Sequence, residues 1–386
     1  MIQPVYGLVD SMIYACRVHD MVLDLIRSLS SEENFVTVLN GMDHTSPSNT
    51  IRRLSLQICK ENHIMAQATR RLQQARSVIV FPAAASLVST LDSSRVLRVL
   101  DLEGCKLSQA VTSLKYLRNL HHLRYLGLHG TVIDGSTINI IEDICQLTEM
   151  RKLHIRLDKW NDKLLECLCK LGKMEHLFMY VKSGVRRSIG VLDAWVAPRH
   201  LRVLRTQLST WFSTLPAWLN PSLLTDLPWL CIAVKELRQV DVTILGRLPA
   251  MSWLELEVDN VKLGILQGFV VGAGSFPSLI RCHFSQFVRP LVFQQGAMPR
   301  LRYLVIDQFH VPDTRGIASS DGGIDLGLGN LPSLQSVRVA LLQEGAGAAS
   351  DEDMRQAKAA LRHAANAPQS SCAPNRYSKN GRRCAS

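Results

Sequence analysis

The sequence predicts an α/β solenoid in which each repeat contributes one short parallel strand and a helical or irregular return. Three observations carry this. A segment of the form L-x-x-L-x-L recurs twelve times between Ile51 and Val339. Successive copies start 22 to 28 residues apart, except for a last interval of 33. The chain, 386 residues at 47% apolar and 20% charged, has the apolar content of a packed core, which excludes global disorder. No stretch of 18 apolar residues occurs. The best candidate, Val78 to Val88, is short and interrupted by Pro82, so no transmembrane helix is expected.

The full pattern is clearest in Leu97-Arg-Val-Leu100-Asp-Leu102-Glu-Gly-Cys105 and Leu123-Arg-Tyr-Leu126-Gly-Leu128-His-Gly-Thr131. Shorter copies start at Met150, Met174, Leu201, Leu227, Met251, Leu279, Leu301 and Leu334, with weaker ones at Ile51 and Ala75. The second and third apolar positions are two apart, so on a strand they share a face; the first lies at the strand entry. A single repeat cannot bury these residues, and stability is shared with its neighbours. The period falls in the window of leucine-rich repeats. The expected fold is a leucine-rich-repeat solenoid, an irregular horseshoe with the parallel sheet on its concave face and a small helical N-terminal remnant. Irregularity is expected because the asparagine ladder of regular repeats is mostly absent, with Cys105 and Thr131 in that slot. Residues 113–120 and 162–171 are short apolar runs suited to the convex side.

Residues 1–45 lie outside the repeat, and Val22, Leu25, Ile26 and Leu29 have helical spacing there. Residues 46–343 hold the array of about twelve repeats, with a Gly-, Ser- and Asp-rich loop at 312–329. Residues 344–367 read as a linker followed by an Ala-rich helix. Ser350-Asp-Glu-Asp at its start places acids near the positive end of the dipole. Residues 368–386 have no apolar periodicity and are expected to be a disordered basic tail.

The net charge of +11 suggests a polyanionic partner, but its distribution argues otherwise. Seven of the Lys and Arg residues lie between Met354 and Ser386, where no acid occurs, which leaves about +4 elsewhere. Neither nucleic acid nor a membrane span is expected. The ten cysteines form no C-x-x-C pair, and no N-x-S/T acceptor is available, since Asn220 is followed by Pro221. Residues 1–16 lack a basic start and carry Asp10, which makes a poor signal peptide. These features point to a reducing, cytoplasmic setting.

The segment Cys16-Arg-Val-His19-Asp20-Met-Val-Leu-Asp-Leu-Ile26 resembles the M-H-D region of plant nucleotide-binding leucine-rich-repeat disease-resistance proteins, in the form found in grasses. Met1-Ile-Gln-Pro-Val-Tyr6 is similar to the end of their winged-helix segment, and Val18 replaces the motif's Met. Val234-Lys-Glu-Leu-Arg-Gln-Val-Asp241 and Ile244-Leu-Gly-Arg-Leu-Pro249 also look like that family's repeats. The resemblance covers roughly residues 1 to 366 and implies a receptor's C-terminal part: the end of the winged helix plus the repeat domain. The chain departs from the family over residues 369–386. In the family the motif histidine contacts bound ADP, which the resemblance carries to His19 with Asp20 beside it. The bland alternative is a vestigial histidine that caps a helix. No G-x-x-x-x-G-K-[ST] occurs, so no cofactor is expected unless a separate P-loop module supplies ADP or ATP binding. The resemblance implies sensing of pathogen effectors or modified host proteins and restraint of the nucleotide-binding module. The alternative is a stand-alone adaptor or decoy, or a truncated non-signalling product, that binds a protein partner.

No catalytic motif is present, neither G-x-S-x-G nor H-E-x-x-H, an EF-hand loop or a dinucleotide fingerprint, so an enzyme is not expected. His121-His122 precedes a strand, and Cys167 and Cys169, two apart on an expected helix, face different ways; no metal site is expected. What remains is a surface. The residues flanking the inward leucines should project from the concave face: Tyr125, Gly127 and His129; Lys152, His154 and Arg156; His176, Phe178 and Tyr180; Val203, Arg205 and Gln207; Trp229, Cys231 and Ala233; Trp253, Glu255 and Glu257; and Arg281, His283 and Ser285. Aromatics and Arg are the residue types of interface hot spots. Lys152, His154, Arg156, Phe178, Tyr180, Arg205, Trp229 and Trp253 are the candidate protein-binding residues.

Overall fold

The computed structural model describes residues 2–6, 13–39, 51–57, 72–107, 114–133, 137–157, 160–181, 188–207, 210–258, 269–286, 291–310, 326–342, 355 and 359. The chain divides into two compact units, Met1–Lys182 and Ser183–Ser386.

The first unit opens with an antiparallel pair, β1 (Ile2–Tyr6) and β2 (Ile13–Val18), followed by α1 (Asp20–Glu32). This N-terminal segment, expected to be helical, is therefore strand and helix in turn. His19 caps α1, its Nδ1 accepting from the Met21 N–H at 3.3 Å, which satisfies one of the orphan donors of a helix start. The expected apolar stripe forms, yet α1 buries none of its residues, and Met21 and Leu25 are 76% and 58% exposed.

The strands that follow are β3 (Thr37–Leu39), β4 (Arg53–Leu56), β5 (Ser77–Val80), β6 (Val99–Asp101), β7 (Lys106–Leu107), β8 (Tyr125–Leu128), β9 (Val132–Ile133), β10 (Lys152–Leu157) and β11 (His176–Val181). Helices α2 (Thr137–Ile144) and α3 (Asp162–Lys170) lie among them. The parallel sheet runs in chain order, β3-β4-β5-β6-β8-β10-β11, and β7 and β9 form a separate parallel pair. It already begins at Thr37, inside the segment 1–45 set apart from the repeats, because the β-branched Thr37-Val38 pairs in register with Leu54-Ser55.

Each apolar position of the repeat becomes a buried column. Ile51, Ala75, Leu97, Leu123, Met150 and Met174 form the first. Leu54, Val78, Leu100, Leu126, Leu153 and Leu177, successive register partners, form the second. The ladder slots work with unusual side chains. Cys105 Sγ donates to the Val80 carbonyl at 3.3 Å and Thr131 Oγ1 to the Leu102 carbonyl at 2.7 Å. The returns are 3₁₀ turns at Pro82–Ser93 and Leu114–Asn119 and the helices α2 and α3. Asn161 caps α3 by accepting from the Lys163 N–H at 2.9 Å.

The second unit contains β12 (Ser188–Ile189), β13 (Val203–Gln207), β14 (Thr210–Trp211), β15 (Trp229–Val234), α4 (Gln239–Gly246), β16 (Trp253–Val258), β17 (Phe269–Val271), β18 (Arg281–Ser285), β19 (Leu291–Phe293), β20 (Tyr303–His310) and β21 (Ser336–Leu342). Here the parallel order is β13-β15-β16-β18-β20-β21, with β12–β14 and β17–β19 as small parallel pairs on the returns. Leu204, Leu230, Leu254, Cys282 and Leu304 are register partners and buried, so a cysteine substitutes for leucine in one rung. The returns bury large aromatics: Trp195, Trp211, Phe212, Trp218, Phe276 and Phe293. Arg238 and Asp241 cap α4, with the Arg238 N–H donating to Asp241 Oδ2 at 2.8 Å.

Most of the expected loop at 312–329, and the linker, helix and tail at 344–367 and 368–386 apart from Arg355 and Ala359, lie outside the described residues; those two are helical.

Candidate recognition surface

Strand alternation fixes which side chains leave the core. In the first unit, Ser55, Ile79, Asp101, Gly127, His154 and Phe178 are successive register partners on the face opposite the leucine columns. Lys152 pairs with His176, and Arg156 with Tyr180. The rings form a chain of contacts. Tyr125 meets His154 edge-on at 5.3 Å between centroids, His154 meets Phe178 at 4.3 Å, and the Arg156 guanidinium lies 4.8 Å from the Tyr180 centroid. These geometries favour the positive edge of one ring, or a cation, over the negative face of another.

The Tyr125 hydroxyl donates to Asp101 Oδ2 at 3.5 Å, over Gly127. A Cβ at Gly127 would sit 2.4 Å from Asp101 Oδ1 and 2.9 Å from the tyrosine oxygen, which explains the glycine on a strand that otherwise carries side chains. Burial, with Asp101 adding to it, pushes the Tyr125 hydroxyl up to about 12. Burial likewise lowers the His154 imidazole, an effect Asp101 opposes and His129 and Lys152 reinforce.

The second unit carries a different column. Val203, Trp229, Trp253, Arg281, Tyr303 and Ser336 are register partners. Trp229 and Trp253 stack at 4.5 Å and 18°, and the Arg281 guanidinium lies 5.3 Å from the Trp253 ring and 4.1 Å from the Tyr303 ring. Beside it, Glu255 accepts from Trp253 Nε1 at 3.1 Å and from Cys231 Sγ at 3.0 Å. His283 Nε2 lies 2.9 Å from Asp307 Oδ2, and this contact lowers the Asp307 carboxyl below its usual range. Gln286 hydrogen-bonds Glu257.

The eight candidate residues lie on strands of the two units, Lys152, His154, Arg156, Phe178 and Tyr180 in the first and Arg205, Trp229 and Trp253 in the second, where Arg205 is the register partner of Cys231. Four residues expected to project are buried instead. They are Gly127, Val203, Cys231 and Ala233; Glu255 contacts the Cys231 thiol, and burial with the adjacent Glu255 pushes that thiol well up.

One feature was not anticipated. The residue after the first apolar position is Arg in five consecutive repeats of the first unit: Arg52, Arg76, Arg98, Arg124 and Arg151. Their main chains are bonded rung to rung. The Arg76 N–H donates to the Arg52 carbonyl, Arg98 to Arg76, Arg124 to Arg98 and Arg151 to Arg124, at 2.8 to 2.9 Å. The first four side chains are exposed and make no ion pair among the described residues, although Arg124 acts on the Glu149 carboxyl; Arg151 is closed off by Glu175, Nη1 to Oε1 at 2.7 Å. The recurrent L-R-x-L spelling was the available signal, invisible as a row until the strands are in register.

At His19 and Asp20, the imidazole Nδ1 is occupied by the helix cap and Asp20 lies in the first turn of α1. Among the described residues no group of three or more His, Cys, Asp or Glu could hold a metal ion. Cys167 is buried while Cys169 is exposed, and His121 and His122 face solvent. No described helix is long and apolar enough to cross a membrane.

A family model described as a leucine-rich repeat region matches residues 74–135 and 128–372. The chain belongs to the leucine-rich-repeat family. The relatives this leucine-rich-repeat chain matches are plant disease-resistance proteins. It is 41% identical over 107 residues to the disease resistance protein PIK6-NP of Oryza sativa subsp. japonica, covering 28% of the chain and 10% of that protein. It is 36% identical over 143 residues to the disease resistance protein Pik-2 of the same plant, covering 36% and 14%. It is 28% identical over 197 residues to the disease resistance RPP8-like protein 3 of Arabidopsis thaliana, covering 43% and 21%. The match spans only about a tenth to a fifth of those relatives' own length.

Proposed function

We propose that this leucine-rich-repeat chain is a non-catalytic protein-recognition module of an intracellular plant immune receptor. It senses a pathogen effector or a modified host protein, and it restrains a nucleotide-binding module. The observation that carries this reading is the register of the outward side chains. Tyr125, His154, Phe178 and Tyr180 in one unit, and Trp229, Trp253, Arg281 and Tyr303 in the other, are preorganised by ring contacts on a sheet face rather than buried. Aromatics held rigid before association lose little entropy on binding. The arginine row supports the restraint half of the reading, since four exposed guanidiniums in line suit an acidic surface of another module.

Catalysis is not proposed, nor a cofactor of the chain's own; ADP or ATP enters only through a separate P-loop module. His19 and Asp20 are read as a vestige of a nucleotide-sensor motif, because the imidazole nitrogen is spent on the helix cap. The alternative, an adaptor or decoy acting alone, shares the same surface and differs in having no nucleotide-binding module to restrain.

The test replaces Phe178, Tyr180, Trp229 and Trp253 by Ala and compares co-purified proteins from plant extract, with circular dichroism to confirm the fold. Loss of a partner is expected; an unchanged partner set on an intact fold overturns the assignment. Co-expression with a nucleotide-binding module and scoring of its nucleotide exchange separates receptor part from adaptor.

A further inference from the structure

The returns on either side of β10 bring two thiols together. Cys145 follows the last residue of α2, its N–H donating to the Ile141 carbonyl at 3.0 Å, and Cys167 lies on the buried face of α3 with Leu164 and Leu168. The two helices pack on one another, and Lys163 of α3 is paired with Glu142 of α2. The Cys167 thiol donates a hydrogen bond to the Cys145 sulfur. Two other buried cysteines are turned to oxygen instead, Cys105 to the Val80 carbonyl and Cys231 to Glu255, and burial raises both thiols. The Cys145 thiol moves the other way. The hydrogen bond from Cys167 lowers it, with Lys170 helping and burial, Glu166 and Glu142 opposing. Cys167, the donor, is raised by that bond and by burial. Access is graded in the same order, since Cys145 keeps 9% of its surface exposed and Cys167 none. A thiol with thiolate character, beside a second thiol able to resolve it, is the arrangement in which oxidation ends in a disulfide.

We propose that Cys145 and Cys167 form a reversible disulfide on exposure to a hydroperoxide, and that this bond locks β10 between its two returns. The Cys145 thiol gives its proton to water, and its sulfur attacks an oxygen of the peroxide. An S–O bond forms and the O–O bond breaks. The departing oxygen takes up a proton and leaves as an alcohol, or as water when the oxidant is hydrogen peroxide. Sulfur has lost two electrons to oxygen, and Cys145 is a sulfenic acid. The Cys167 sulfur then attacks the Cys145 sulfur; the S–S bond forms, the S–O bond breaks, and hydroxide leaves with the Cys167 proton as water. A small dithiol reverses the bond by exchange. The closed loop contains all of Lys152–Leu157, with Lys152, His154 and Arg156. Cross-linking its ends restricts the unfolded chain, so the strand opens less readily. In a reducing setting such a bond is transient, which suits a sensor rather than a permanent staple.

The experiment treats the reduced full chain with graded hydrogen peroxide, blocks the remaining thiols with N-ethylmaleimide in denaturant, and reads a tryptic digest by mass spectrometry without reductant. Cys145 lies alone in peptide 125–151, whereas Cys167 and Cys169 share peptide 164–170, so fragment ions across Leu168 assign the linked sulfur. A 125–151/164–170 pair joined through Cys167 is expected, lighter by two hydrogens than the sum of its parts and lost on adding dithiothreitol. The oxidised chain is expected to melt at a higher temperature than the reduced one. Cys167→Ala is expected to stop at the Cys145 sulfenic acid, captured by dimedone, and Cys145→Ala to leave Cys167 reduced. Four results each overturn the proposal: both thiols fully blocked after a dose that oxidises the exposed Cys16, linkage through Cys169 instead, a lasting Cys145 sulfenic acid in the parent chain, or a linked chain that melts no higher. All four are read on the parent chain, so they stand whether or not a variant folds.

Discussion

Thr131 donates its hydroxyl to the main-chain carbonyl of Leu102, 29 residues back, at 2.7 Å. The donor is buried, so the bond does the work of the missing asparagine ladder at that repeat boundary. Thr131→Val keeps the shape and removes the donor. A loss of about 0.5–1.5 kcal/mol is expected, because the Leu102 carbonyl loses one of two donors and keeps the Cys105 N–H. Urea denaturation of both proteins, with unchanged m-value, checks it; equal midpoints would mean that the Cys105 N–H alone satisfies the Leu102 carbonyl.

His154 gives a pH signature. Its imidazole is lowered by burial, with His129 and Lys152 adding to the effect and Asp101 opposing it; Tyr125 and Phe178 are the rings packed on it. The folded value lies below the ordinary 6.5, so as pH falls beneath that figure the unfolded chain takes the proton first. The stability linked to the neutral ring is complete above 6.5 and is lost as pH drops through the folded value. His154→Phe is expected to flatten this part of the profile. Denaturation midpoints at pH 7.5 and pH 5 should converge for the variant relative to the parent.

The arginine row predicts a salt response. Arg52, Arg76, Arg98 and Arg124 stand on adjacent strands about 4.8 Å apart at the backbone, and like charges so placed repel until screened. Raising NaCl is expected to raise the melting temperature of the parent more than that of Arg76→Gln/Arg98→Gln. Parallel salt curves would show that the guanidiniums splay far enough apart not to interact.

The stacked indoles should behave as a coupled pair. Trp253→Ala removes the stack, one wall of Arg281 and one donor of Glu255 together, whereas Trp229→Ala removes the stack and leaves the Trp253–Arg281 and Trp253–Glu255 contacts in place. A double-mutant cycle in urea is expected to return a coupling of about 0.5–1.5 kcal/mol between the two. A coupling of zero would mean that each ring is held by its own surroundings.

The buried columns were legible because a leucine two residues from another can only face the same side of a strand, and this carried the fold and the outward set. Charge rows and roofing were not. Arg98 beside Leu97 looks like ordinary solvated sequence until the Arg76 and Arg124 strands are laid against it. Cys231 looks outward by alternation, yet Glu255 from the next strand leans across it. Both facts belong to strand-to-strand neighbours separated by more than twenty residues. The apolar stripe of α1 was legible as a helix, but periodicity does not say what it packs on, and no described residue covers it. Thr37–Leu39 was missed as a strand because it precedes the first full copy of the repeat.

The rung-to-rung bonds of Arg52, Arg76, Arg98, Arg124 and Arg151 run through main-chain atoms, and the leucine columns lie on the other side of the sheet. Nothing that sets the strand register therefore depends on what the outward positions spell. Such a lattice lets its exposed alphabet be rewritten residue by residue while the frame persists. Gene duplicates sharing this frame are free to diverge in what they meet without first having to survive a refolding.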